Sequence, residues 1–170
     1  MKRLMLAGAL ALALDFAQAA DAGRSLSVEL AVFHVIPASG QAAERLEAVS
    51  RTQPGDILEY QARYRNDKAG EARPVRQVQA LLPIPAVAAV YVPGSAWPAG
   101  AEASADGKRF EAMPLKRWVT RPDGSREQID LPVAQYRALR WNLGDLAPGD
   151  VRMVRARVRV ANSFEAGVTP

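Results

Sequence analysis

The residue types that drive most enzymatic and metal chemistry are scarce in this 170-residue chain. It has one histidine, His34, and no cysteine. Thiol catalysis and cysteine-ligated metal sites are therefore excluded. A Ser–His–Asp triad would have to use His34 as its base, but Phe33 and Val35 flank it within an apolar run, which reads as an ordinary strand histidine. A zinc site needs three or four N, S or O ligands, and one histidine does not supply them. Asp106, Asp123, Asp145 and Asp150 all fall in turn sequences without the dense Asp-x-Asp spacing of a calcium loop. They read as turn-capping aspartates. No glycine-rich phosphate loop occurs. Neither a catalytic residue nor a metal or cofactor site is expected.

The remaining candidate chemistry is cationic. Arg152, Arg155, Arg157 and Arg159 lie close together near the end of the chain. On a strand, alternate side chains share a face, so Arg155, Arg157 and Arg159 would form a basic ridge. Arg63 and Arg65 would join it if their strands pair. Such a ridge suits a polyanion or an acidic protein surface. It equally suits a solvated face that discourages edge-to-edge sheet pairing.

The elements that would position these arginines read as strands. Leu58, Tyr60, Ala62 and Tyr64 alternate with Glu59, Gln61, Arg63 and Arg65; Val154, Ala156, Val158 and Val160 alternate with the arginines. Period-two alternation marks a strand with one buried and one wet face. Ser27 to Ile36 is apolar at both parities, which predicts burial on both faces. Further strands are expected over 45–51, 75–82, 89–92, 109–113, 118–121 and 136–142. Turn signals separate them, including Pro54-Gly55-Asp56, Asp106-Gly107, Pro122-Asp123-Gly124 and Pro148-Gly149-Asp150. Pro83 and Pro85 predict a strand end or a sheet edge. Residues 98–108, rich in Ala, Gly and Ser, are expected as a surface loop. Residues 114–135 are expected as a long polar connection holding one hairpin. Short strands at this spacing, with no intervening amphipathic helices, predict an all-β antiparallel sandwich of about seven to nine strands.

The chain opens with a leader pattern. Lys2 and Arg3 precede an apolar run from Leu4 to Leu14, and Ala17-Gln18-Ala19 follows. This is the form of a cleavable secretory signal, cut after Ala19. The run of 11 residues is too short for a bilayer span of about 20. The expected organisation is a signal peptide over 1–19, one domain over 20–161 and a flexible tail over 162–170. Taking Lys2, Arg3 and Asp15 from the 22 basic and 18 acidic residues leaves 20 and 17, a net charge of +3. That permits weak attraction to anionic polymers without requiring it.

Four motifs, in order, resemble one known family. They are Pro54-Gly55-Asp56-Ile57-Leu58-Glu59-Tyr60 with Tyr64-Arg65-Asn66; Leu82-Pro83 with Tyr91-Val92-Pro93-Gly94-Ser95; Ser104-Ala105-Asp106-Gly107 with Phe110; and Leu139-Arg140-Trp141-Asn142-Leu143-Gly144-Asp145-Leu146-Ala147-Pro148-Gly149. Together they cover roughly residues 27–160. They resemble the bacterial surface and secreted repeats catalogued as domain of unknown function eleven. The resemblance implies an immunoglobulin-like β-sandwich, usually in tandem arrays, with no enzyme activity and no catalytic residues. This chain carries one copy, which counts against a stalk role. Trp141 reads independently as a core anchor.

The expectation is therefore a non-enzymatic structural or protein-interaction module of the cell envelope, periplasmic or extracellular, without cofactors. A protein partner is expected and nucleic acid is not; no membrane span is expected in the mature chain. The alternative is a binding module for an anionic envelope polymer or an acidic partner, through Arg152, Arg155, Arg157 and Arg159.

Overall fold

A computed structural model describes residues 26–40, 42–67 and 73–162. The expected leader and all of the tail beyond Asn162 lie outside the described residues. So does Ala20, where the mature chain is expected to begin.

Two antiparallel sheets pack face to face. The larger contains β1 (Leu26–Ile36), β2 (Arg45–Ala48), β3 (Ile57–Asn66), β5 (Ala89–Tyr91) and β11 (Val151–Val160), in the order β2-β1-β3-β11-β5. The smaller contains β4 (Val75–Pro83), β6 (Glu102–Ser104), β7 (Glu111–Ala112) and β10 (Ala138–Leu146), in the order β4-β10-β6-β7. These nine strands form the expected sandwich. A separate hairpin, β8 (Lys116–Thr120) with β9 (Arg126–Asp130), fills the expected polar connection. It leads into one 3-10 turn, Val133–Gln135.

The alternating sequences build the core as period two requires. Leu58, Tyr60, Ala62 and Tyr64 of β3 are buried, as are Val154, Ala156 and Val158 of β11. Opposite them stand Leu139 and Trp141 of β10 and Ala80 and Leu82 of β4. Fully burying one such aliphatic side chain contributes roughly 1.5–3 kcal/mol. Tyr60 and Tyr64 lie in surroundings that exclude water, which pushes both phenols above their ordinary pKa. Trp141 anchors the core as expected and donates its indole N–H to the Pro98 carbonyl at 3.0 Å.

The motif residues act as fasteners. Asn66 is buried, and its amide donates to the carbonyls of Arg73 and Leu146 at 3.0 and 2.9 Å. Its backbone pairs with Asp150 and Gly149. One side chain thus ties the end of β3 to both sheets. Asp56 accepts the Gln53 N–H, and the Gly55 N–H donates to Val160, closing β3 onto β11.

β10 is irregular in a useful way. Its register against β4 shifts at Asn142/Gly144 and again at Gly144/Leu146. Gly144 adopts φ +69°, which favours glycine, and its N–H donates to the Asn142 side chain. The shift changes the parity of the strand: Leu139 and Trp141 face the core, and so does Leu146. Half-buried Leu143 lies at the changeover.

Three expectations need amending. Residues 98–108 are not simply a surface loop, because β6 pairs with β10 and Ala101, Ala103 and Ser104 are buried. Alanine and glycine weaken the strand signal, yet small side chains suit the close approach there. Only the second half of β1 is covered on both faces: Val35 is buried, while Val28 and Glu29 are exposed. The strand expected over 45–51 stops at Ala48, and the one expected over 136–142 runs on to Leu146.

The turn after β6 makes a pH prediction. The Asp106 carboxylate accepts from the Arg109 and Lys108 N–H groups, both at 2.8 Å, and from the Ser104 hydroxyl. These bonds, that from Arg109 first, hold its pKa down to about 2, against an ordinary 3.8. A depressed acid stabilises the fold fully above its unfolded pKa. That contribution is lost as pH falls through the folded value. An NMR titration of the Asp106 side chain should give a midpoint near pH 2, and a midpoint at the ordinary value would mean the turn is open in solution.

Candidate functional site

The outer face of the five-stranded sheet holds Arg155, Arg157 and Arg159, whereas Arg152, opposite Tyr64, has the parity of the core face; the structure divides the outer face into two unlike halves. β11 pairs with β3 in the register Arg155↔Gln61, Arg157↔Glu59 and Met153↔Arg63. β1 pairs with β3 so that Glu29 lies opposite Arg63 and Phe33 opposite Glu59. All of these residues share the outer face.

In one half the charge is cancelled. Arg157 Nε donates to Glu59 Oε2 at 2.8 Å, and its two terminal nitrogens grip Glu44 at 2.9 and 2.6 Å. Glu59 is only 2% exposed although it lies on the outer face. Its other oxygen accepts from the Gln61 amide. The connection from β1 to β2 brings Glu44 here, and it covers this end of the sheet. The Glu44 hydrogen bonds and charge hold Arg157 above its ordinary pKa, and Arg157 holds Glu44 below the usual carboxylate range. Arg157 was expected as a ligand-binding cation. It is instead the centre of an internal ion-pair cluster. Its backbone is also used: the N–H donates to Ser95 Oγ, and the carbonyl accepts from Val92. Arg159, at the far end of β11 between Ile57 and Val90, lies away from the open half.

The other half is open. A cleft of about 780 Å3 lies between Glu29, Gln61 and Arg63 on the sheet and Trp97, Pro98 and Leu143 beyond its edge, with Val151, Arg152 and Met153 between them. Trp97 is 46% exposed, and the Arg155 guanidinium lies over its ring at 5.2 Å. An Arg–Trp pair of this kind is worth about 0.5–1 kcal/mol where solvent reaches it. Arg152 lies 3.6 Å from Asp150, both half-exposed, a weak surface pairing. Three cations, Arg63, Arg152 and Arg155, thus lie near two carboxylates, Glu29 and Asp150, beside an exposed aromatic. Val151 and Met153 add exposed apolar surface.

Of the four arginines expected as a site, Arg155 stands over Trp97, Arg152 lines the cleft at opposite parity on β11, Arg157 is held by Glu44 and Glu59, and Arg159 lies at the far end of the strand. Reading the sequence alone left out Trp97 and Leu143. Trp97 stands in a Ser-Ala-Trp-Pro stretch with no periodicity, and only its bridge to Arg155 brings it to this face.

His34 lies at the opposite end of the sheet, where its Nε2 is 3.5 Å from Asp56 Oδ1. Among the described residues no group of three or more His, Cys, Asp or Glu side chains is arranged to hold a metal ion. No helix among them is long and apolar enough to cross a membrane. No family model matches the chain, and neither the curated proteins nor the solved structures contain a match.

Proposed function

We propose that the protein is an exported, non-enzymatic module of the bacterial cell envelope that works by binding an acidic protein partner at the open half of its outer face. One observation carries the reading. Glu44 and Glu59 neutralise one half of the face, whereas Arg63, Arg152 and Arg155 lie near an exposed tryptophan at the other. Exposed aromatic and arginine side chains are the residues that most often dominate binding energy. The leader pattern over residues 1–19 supports export, and the four ordered motifs support kinship with surface and secreted sandwich repeats. An anionic envelope polymer is the second reading, supported by the same arginines.

The test uses the mature chain, recovered from the periplasm with Ala20 at its N-terminus, and poly-glutamate as the probe. The parent should bind at low salt and release at high salt, since exposed charges are screened within about 10 Å at 0.1 M. The triple variant Arg63→Ala, Arg152→Ala, Arg155→Ala should bind at least tenfold more weakly, with its melting temperature unchanged. Equal binding by parent and variant would overturn the proposal.

A further inference from the structure

The edge of β11 is paired along only part of its length. Val158 and Val160 face Tyr91 and Ala89 of β5. Arg157 is satisfied by Val92 and Ser95, and Arg155 exchanges both backbone bonds with Trp97 at 2.8 Å. Beyond Trp97 no further backbone bond joins the covering chain to β11 among the described residues. In an antiparallel strand, alternate residues direct both backbone groups to the same side. Met153 and Val151 therefore point their N–H and C=O groups to the side that Trp97 covers at Arg155. The Met153 pair has no partner among the described residues, and the Val151 carbonyl accepts only from the Arg152 side chain at 3.2 Å. This uncovered edge runs along the cleft.

We infer that the site takes an extended acidic peptide by strand addition to β11, continuing the line of β5 and Trp97. The inference rests on the proposed binding role and specifies its ligand. Backbone bonds to Val151 and Met153 would supply register, and side chains would supply selection. Ligand residues pointing to the outer face lie beside Arg155, with Arg63 one strand further across beyond Met153, which favours Asp or Glu there. Residues pointing the other way meet Leu143 and Pro98, which favours apolar side chains. The recognised pattern is an alternation of acidic and apolar residues.

The probe is an end-blocked, fluorescein-labelled octapeptide alternating valine and glutamate, read by anisotropy. Two further peptides carry N-methyl groups on alternate residues, one in each possible phase. Met153→Pro is the decisive variant, because the Met153 N–H makes no bond to β3 and proline is tolerated where an edge N–H faces outward. Met153→Pro should weaken octapeptide binding tenfold or more, with its melting temperature unchanged. One phase of N-methylation should weaken binding to the parent protein equally, without any change in the protein. Unchanged octapeptide affinity in both arms would overturn strand addition, as would octapeptide that fails to bind while poly-glutamate does. Either result leaves the electrostatic binding role standing; only loss of the arginine dependence removes that.

Discussion

Replacing Tyr60 by aspartate abolishes the folded state. Tyr60 lies in the middle of β3, buried among Leu58, Ala62, Ala156 and the facing sheet. Removing its ring costs about 3–5 kcal/mol, as large aromatic truncations do. A buried carboxyl without a partner adds about 1–3 kcal/mol even after it takes up a proton. The total is comparable to the whole stability of a domain, about 5–15 kcal/mol. Thermal unfolding followed by circular dichroism should show no cooperative transition at a temperature where the parent is folded. Arg63→Gln, three residues along on the exposed face, should stay within about 0.5 kcal/mol of the parent. A Tyr60→Asp protein that melts like the parent would mean that the buried and exposed faces of β3 are exchanged.

Arg157→Ala destabilises the fold by about 2–4 kcal/mol. A fully buried pair costs about 3–5 kcal/mol when one partner is removed, because the other charge is left uncompensated. The figure here is lower because the Arg157 side chain is 29% exposed, so its truncation admits some water to Glu59. The Gln61 amide also continues to donate to Glu59. Replacing both members, Glu59→Leu with Arg157→Leu, should recover most of the loss, since no buried charge remains; Glu44 then faces solvent. Denaturant titration of the two variants measures both effects. A single variant within about 0.5 kcal/mol of the parent would show that Glu59 is already hydrated in the native state.

The two predictions concern opposite faces of β3, and the faces were unequally legible. Tyr60 could be assigned to the core from period two alone, because alternation is a property of the strand itself. The pairing of β3 with β11 is not set by alternation and comes from the assembled sheet. The neutralisation of Arg157 could not be read from alternation either. Glu44 is 113 residues away, just ahead of the strand expected over 45–51, and only the path from β1 to β2 brings it there. The Ala-rich strand β6 was hidden for a different reason. Its burial comes from close packing beside β10, and alanine registers weakly in any strand scale.

Composition and local order by themselves determined the all-β class, the alternating core strands, the turn aspartates, the leader pattern and the scarcity of catalytic side chains. Each depends on residue type or on neighbours a few positions apart. The tertiary structure decided which arginines remain available. It placed Glu44 and Glu59 against Arg157, Trp97 against Arg155 and Leu143 beside the uncovered edge of β11. The arginine contacts join residues 58 to 113 positions apart, and charge complementarity at that range acts only after the sheets have assembled.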